Sequence, residues 1–322
     1  MRGVSGPIVT APRTPAVRAG RRGAGLPLQP RRSSSCGTVL WMTGLLASLL
    51  RPDRLTTVVD IGANPIDSAP PYQPMLENRL CRVIGFEPQP EGLDGLNARK
   101  SDLETYLPYV VGDGRSATLK ICSSPGMTSL LTPDELALRH FPGFVEWGKV
   151  LREVAVTTRR LDDIPEIEAI DFLKMDVQGA ELAILKNAAS RLKDVIAIQT
   201  EVSFIPLYQA QPSFGEIDAE LRRAGFVPHT FVAVNQRMIA PMTAKTPYEG
   251  INQLLEADVV YVRDFMRPER MSAEQLKHLA LVAHHCYGSF DLATNCLYHL
   301  TRLGAAPPDA IQQYLKTLKK PT

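Results

Sequence analysis

Acidic side chains follow several apolar, β-branched runs of this chain, and the first of them ends in a small-residue turn. Asp60 closes the run that begins at Thr57, and Gly62, Ala63 and Asn64 come next. Such a turn lets backbone N–H groups approach a ligand, and a carboxylate beside the next helix can receive a positive group. A dinucleotide site would need G-x-G-x-x-G here, and the sequence lacks it. The turn therefore favours a cationic sulfonium ligand, with an ordinary tight βα turn as the alternative.

A second acid, Glu87, ends the next apolar run and is followed by Pro88. Rossmann-type folds use an acid about 20 residues after the first turn to bind ribose hydroxyls. We therefore expect Glu87 to bind a ribose, although a solvated loop glutamate is the alternative.

Lys174 and Asp176 interrupt a third apolar run near its end, and Glu201 ends a fourth. Open α/β sheets place ligands at the carboxyl ends of their strands. Burying the two charges is costly unless they are paired or functional, so a structural Lys174–Asp176 pair is the alternative. We take Asp176 and Glu201 as candidates to orient a substrate or act as its base, with Lys174 beside them. His229 is a weaker candidate, because a lone strand histidine is more often a structural partner.

The elements that must position these residues alternate between β-rich runs and amphipathic stretches, which indicates a Rossmann-like α/β fold with a mostly parallel sheet of about seven strands. The predicted strands are Thr57–Ile61, Arg82–Phe86, Thr105–Val111, Ala169–Met175, Val195–Gln199, Phe226–Val232 and Ala257–Val262. The predicted helices between them are Tyr72–Leu80, Glu91–Leu103, Gln178–Asn187 and Phe214–Ala224. Two further runs, Ala117–Cys122 and Val154–Thr158, also have strand character.

Three parts of the chain are expected: a disordered basic tail at 1–41, a catalytic domain at 42–268 and a helical extension at 269–322. The tail has seven arginines and no Asp or Glu, and a translation start at Met42 is an alternative to it. The apolar run Val39–Leu50 is too short to span a bilayer, and no cleavage site of a signal peptide follows it. In the extension, Ser272 and Gln275 form a capping box.

Cysteines, charge and loops limit the remaining possibilities. The five cysteines lack C-x-x-C spacing, which indicates a reducing, cytoplasmic setting and no zinc site or disulfide framework. Beyond the tail the chain is mildly acidic, which argues against nucleic acid as a partner. The irregular segment Ser123–Trp147 carries Phe141, Phe144 and Trp147. It is expected to be either a mobile lid over an acceptor or a static loop packed on the sheet.

Four blocks in order resemble the FkbM family of S-adenosylmethionine-dependent methyltransferases. The matching blocks are Asp60–Asn64, Phe86–Pro88, Arg160–Asp163 and Asp171–Glu181, within a resemblance that covers roughly residues 57–262. It implies S-adenosylmethionine as the cofactor and methyl transfer, which we expect to go to a hydroxyl of a small metabolite or glycan. The expected cofactor-binding residues are Asp60, Gly62, Ala63, Asn64, Glu87, Pro88, Asp113 and Asp176, with Asp113 near the adenine.

Two departures from the family pattern concern the expected site. Pro65 and Ile66 stand where the family often has glycine, which should stiffen the loop, and Gln178 replaces the usual glutamate. The alternatives are an NAD-dependent oxidoreductase, disfavoured by the missing glycine motif, and a non-catalytic protein with a decayed cofactor loop.

Overall fold

The computed structural model describes residues 44–64 and 69–318. The expectations for the tail at 1–41 and for the loop at Pro65 and Ile66 therefore lie outside the described residues. Within the described ranges, no helix has both the length and the apolar character needed to cross a membrane.

The main sheet has seven strands in the order β3-β2-β1-β6-β7-β9-β8. The strands are β1 Thr56–Ile61, β2 Cys81–Phe86, β3 Glu104–Leu107, β6 Phe172–Met175, β7 Ala197–Ser203, β8 Phe226–Gln236 and β9 Leu254–Arg263. β3, β2, β1, β6 and β7 are parallel, whereas β9 runs antiparallel to both β7 and β8. The predicted fold class is thereby confirmed. Because the carboxyl ends of the parallel strands share one edge, the residues that end them are brought together there.

The strand residues alternate between two apolar clusters, one on each face of the sheet. Val58 and Phe172 join one cluster, and their neighbours Val59 and Leu173 join the other. This alternation follows from the two-residue period of a strand. The central strands are buried on both faces, which explains their nearly continuous apolar sequence.

Helices cover both faces. The described helices of the main domain are α1 (44–50), α2 Gln73–Glu77, α3 Pro90–Arg99, α4 Glu135–Leu138, α5 Phe144–Trp147, α6 Glu181–Lys186 and α7 Phe214–Arg223. The C-terminal helices are α8 Ala273–Tyr287, α9 Phe290–Arg302 and α10 Ala310–Leu318. α8 begins with the predicted capping box of Ser272 and Gln275. Buried residues of all three belong to the same cluster as Val58, so these helices form a layer on the sheet. The boundary at 268/269 stays a prediction.

Several predicted elements have different limits in the structure. The third strand ends at Leu107 instead of Val111, because Pro108 cannot donate to the ladder. Helix α6 begins at Glu181, not at Gln178, because Gln178 and Gly179 have left-handed φ angles of +55° and +105°. The run predicted at 154–158 lies in a longer strand, β5 (Val150–Thr157), which pairs with β4 (Ser116–Cys122) as a separate antiparallel ribbon.

Candidate active site

A cavity of about 660 Å³ opens at the carboxyl ends of β1, β2, β6 and β7. Its volume lies within the ~300–1,000 Å³ typical of small-molecule sites. Most of the residues singled out in the sequence line it: Asp60, Gly62, Ala63, Asn64, Glu87, Pro88, Lys174, Asp176 and Glu201. The sheet topology therefore brings together side chains that are up to 141 positions apart in the sequence.

Asp60 is held by protein partners at the floor of this cavity. Strands β1 and β6 pair in a register that places Asp60 opposite Lys174. The Lys174 Nζ donates to Asp60 Oδ1 at 3.0 Å, and the Tyr72 hydroxyl donates to Asp60 Oδ2 at 2.7 Å. Burial is the largest single influence on the pKa of Lys174 and acts to lower it. The attraction of Asp60 and Asp176, together with the hydrogen bond to Asp60, outweighs burial, so the net pKa is raised. Lys174 is therefore a cation paired with Asp60, and not with Asp176 as the structural alternative had it.

The turn after β1 passes directly over the end of β6. Gly62 has a φ of +81°, and a Cβ on it would overlap the backbone oxygen of Asp176. Only glycine fits both conditions without strain. The close approach fixes the first turn against the third candidate segment, so Asn64 and Asp176 line the same cavity.

Glu87 lies beside the same turn with one oxygen uncommitted. Its side chain is only 4% exposed, and its Oε1 accepts a 2.7 Å hydrogen bond from the Gln89 backbone N–H. Its Oε2 has no hydrogen-bond partner in the described part of the chain. A Cβ on Gly92 would lie 2.9 Å from Asn64 Nδ2 and 3.0 Å from Glu87 Cδ, so glycine leaves room for both side chains. Burial raises the pKa of Glu87.

Gln178 connects the two carboxylates that were candidates for catalysis. Its amide Nε2 donates to Asp176 Oδ1 at 3.0 Å and to Glu201 Oε2 at 2.9 Å. Its Oε1 accepts from the buried hydroxyl of Tyr208 at 3.3 Å. The hydroxyl of Ser129 also binds the Gln178 backbone oxygen at 2.6 Å, which holds this left-handed residue in place. Burial raises the pKa of Glu201 well above its ordinary value, and the nearby Asp176 raises it further.

The sequence analysis missed a second group of polar residues, contributed by β8, β9 and the chain that follows β8. Glu256 and Asp258 lie on β9, with Asp258 directly opposite Glu201. Asn235 Nδ2 donates to Glu256 Oε1 at 3.0 Å, and Arg237 Nη2 lies 3.9 Å from the same oxygen. All four residues line the cavity. Glu256 and Asp258 lie two positions apart in an otherwise apolar run, and this spacing could have indicated that both face the site. Glu256 was missed because the strand was predicted to begin at Ala257.

The segment 123–147 forms a packed wall of the cavity. Phe141 and Phe144 are each 5% exposed and belong to an apolar cluster with Leu207 and Tyr208. Trp147 stacks on Tyr248, with ring centroids 5.3 Å apart and an angle of 22° between the rings. These contacts favour the static alternative over the lid.

Two other candidates, Asp113 and His229, are not among the residues that line the cavity. The Oδ1 of Asp113 accepts from the Arg115 backbone N–H in its own turn. His229 shares a 2.6 Å hydrogen bond with Ser289. Among the described residues, no group of three or more His, Cys, Asp or Glu side chains could hold a metal ion.

Comparison with known families identifies the chain. The model described as "Methyltransferase FkbM domain" matches residues 60–228, which include the β1 turn, Glu87, Lys174, Asp176 and Glu201. The chain belongs to the FkbM methyltransferase family, as its sequence blocks indicated. It is therefore a methyltransferase, and its cofactor is the S-adenosylmethionine used by that family.

Solved structures give only weak similarity, and curated protein sequences give no match. Magnesium protoporphyrin IX methyltransferase from Synechocystis PCC 6803, solved with bound SAM, is 12% identical with a TM-score of 0.34, covering 70% of this chain and 78% of that one. Precorrin-6y C5,15-methyltransferase from Geobacter metallireducens GS-15 is 12% identical with a TM-score of 0.30, covering 69% of this chain and 88% of that one.

The residues at the first two strand ends fit S-adenosylmethionine. The glycine turn leaves backbone exposed, and the uncommitted Oε2 of Glu87 can accept hydrogen bonds from a ribose diol. Asp60 was expected to receive the positive sulfonium or amino group, but Lys174 and Tyr72 already engage both of its oxygens. Asp176 has one oxygen without a hydrogen-bond partner among the described residues.

Proposed function

We propose that this methyltransferase transfers the methyl group to a hydroxyl oxygen of a small metabolite or glycan. S-adenosylmethionine supplies a methyl group already activated by its sulfonium. The protein then has two tasks, which are to align the acceptor oxygen and to help remove its proton.

The proposed cofactor residues lie along the β1 and β2 half of the cavity. Gly62, Ala63 and Asn64 form the turn that approaches the cofactor, and Glu87 with Pro88 holds the ribose. Asp176 lies where the turn meets β6 and receives the positive end of the amino-acid portion. Lys174 acts through Asp60, whose charge it balances at the floor of the site.

The observation that carries the proposal is the position of Glu201. It lies near the carboxyl end of β7 in the wall of the cavity, and the Gln178 amide donates to its Oε2 at 2.9 Å beside Asp176. A general base works best when its pKa lies near the working pH. Burial and neighbouring acids raise the pKa of Glu201 from the ordinary glutamate value toward that range. An oxygen acceptor needs such a proton acceptor, so we assign Glu201 as the base.

The test compares cofactor binding with the position of the transferred methyl group. Calorimetry should detect binding of S-adenosylmethionine and S-adenosylhomocysteine but not of NAD. Incubation of the protein with methyl-labelled S-adenosylmethionine and a hydroxylated metabolite extract should give products whose labelled carbon has the NMR shift of a methoxy group. Labelled N-methyl or C-methyl products alone would contradict O-methylation, and binding of NAD alone would contradict the cofactor.

A further inference from the structure

The half of the cavity farthest from Glu87 has a chemistry of its own, which we call the acceptor subsite. It combines polar groups from the end of β8, the start of β9 and the chain that follows β8 with a wall of aromatic rings. Its members are Asn235, Arg237, Glu256, Phe144, Trp147 and Tyr248. If the protein methylates a hydroxyl as proposed, these residues determine which class of molecule carries that hydroxyl.

Arg237 is held in place but has a donor left over. Its side chain is 11% exposed, and its Nη1 donates to the Gln236 backbone oxygen at 3.0 Å. Its Nε is buried and has no hydrogen-bond partner within the described residues. Buried donors are rarely left unpaired in folded proteins. Because Arg237 itself lines the cavity, its guanidinium has donor capacity that the described protein groups do not use.

Glu256 offers the complementary acceptor next to that donor. Its Oε1 accepts from Asn235 and faces Arg237 at 3.9 Å, while its Oε2 has no partner among the described residues. A donor and an acceptor side by side match two neighbouring hydroxyl groups, because one hydroxyl can donate to the carboxylate while the other accepts from the guanidinium.

The aromatic side of the subsite adds a flat apolar surface. Trp147 and Tyr248 are stacked, and Tyr248 is 67% exposed. The Arg237 guanidinium lies 5.7 Å from the Tyr248 ring centroid and 5.9 Å from that of Phe144. Such a wall packs against the C–H face of a ring whose polar groups point outward at its edge.

The charges of the subsite act against an anionic acceptor. Glu201, Glu256 and Asp258 all line this part of the cavity, whereas Arg237 is its one cation in the described residues apart from Lys174, which is paired with Asp60. A ligand carboxylate or phosphate would meet this excess of like charge in a partly buried space. We infer that the acceptor subsite recognises a neutral polyhydroxylated ring, the chemistry of a sugar unit.

Saturation-transfer NMR in the presence of S-adenosylhomocysteine tests this inference by binding rather than turnover. The probes are the methyl glycosides of glucose, galactose, mannose and fucose, with glucuronate and a hexose phosphate as anionic counterparts and catechol as a flat aromatic diol. We expect saturable binding of at least one neutral glycoside. The anionic sugars and catechol should bind at least tenfold more weakly.

Three variants connect that binding to the subsite. Arg237→Lys keeps the charge but removes Nε, and Glu256→Gln keeps the shape but removes the charge. Each should weaken glycoside binding about tenfold, as expected from the loss of one charge-assisted hydrogen bond. Tyr248→Ala should weaken it as well, and its exposed position makes it the variant most certain to fold. Glu249→Gln, on an exposed loop outside the cavity lining, is the matched control and should bind like the unchanged protein.

The inference would be overturned if catechol or an anionic sugar bound more tightly than the neutral glycosides, or if no neutral glycoside bound. Glycoside binding that survives all three variants would also overturn it. Binding of S-adenosylhomocysteine separates this failure from that of the proposed function. If the cofactor product binds and the glycosides do not, only the sugar inference fails.

Discussion

Replacing Lys174 by methionine tests whether the Lys174–Asp60 pair holds the floor of the site together. The change keeps most of the side-chain length and removes the charge. Among the described residues, it leaves Asp60, which is 1% exposed, with the Tyr72 hydroxyl as its one remaining side-chain hydrogen-bond donor. The substitution therefore isolates an uncompensated buried carboxylate.

The size of the effect follows from the geometry. At a separation of 3.0 Å and an effective dielectric constant of ~20, the Coulomb attraction is about 5.5 kcal/mol. Removing one partner of a buried ion pair typically costs about 3–5 kcal/mol, because the remaining charge stays desolvated. We expect Lys174→Met to lower the free energy of unfolding by an amount in that range. The double variant Lys174→Met with Asp60→Asn should lose about 1–3 kcal/mol less than the sum of the two single changes.

Urea unfolding followed by circular dichroism measures these differences. The matched control is Lys186→Met, on the exposed side of α6, which should change the free energy of unfolding by no more than about 0.5 kcal/mol. A Lys174→Met variant within about 1 kcal/mol of the unchanged protein would refute the reasoning. Strictly additive losses in the double variant would also refute it, because additivity means that the two side chains do not interact.

Three further predictions concern the cofactor, the base and the wall of the cavity. Glu87→Ala should weaken S-adenosylhomocysteine binding in calorimetry about ten- to a hundredfold. Glu91→Ala, at an exposed neighbouring position, should leave the affinity unchanged. Equal affinities of the two variants would contradict the assignment of Glu87 as the ribose-binding residue. Because the pKa of Glu201 is raised, the methylation rate should already fall with decreasing pH at pH values above the ~4.3 pKa of an ordinary glutamate. Glu201→Gln should abolish this acidic fall of the rate and lower kcat about 10²–10⁴-fold. An unchanged pH profile in that variant would exclude Glu201 as the base. Hydrogen exchange across 123–147 should already be slow without ligand, and protection that appears only with S-adenosylhomocysteine would instead indicate a lid.

The strand ends could be predicted from the sequence because they depend on local pattern. A buried strand has a recognisable apolar run, and parallel strands present their carboxyl ends at one edge. The sequence therefore predicts that the acids at these strand ends lie near one another. The cavity contains all four of them, Asp60, Glu87, Asp176 and Glu201.

The partners of these residues could not be predicted, because they depend on register and strand direction. Lys174 and Asp176 are two positions apart in the sequence, but β1 and β6 pair so that Asp60 lies directly opposite Lys174. The ion pair therefore forms across the sheet with Asp60. Glu256 lies at the start of its strand, and it reaches the site only because β9 runs antiparallel. Trp147 and Tyr248 meet although 101 positions separate them.

Gln178 illustrates how a departure from a family pattern acquires a physical reason only from the structure. In the sequence it was a lost charge beside the reaction centre. In the structure its amide donates to Asp176 and Glu201 and accepts from Tyr208. A glutamate in this geometry would set a third carboxylate about 3 Å from two others, and like charges that close cannot all be ionised. We therefore expect the amide at this position to support the proposed role of Glu201 as the proton acceptor in O-methylation.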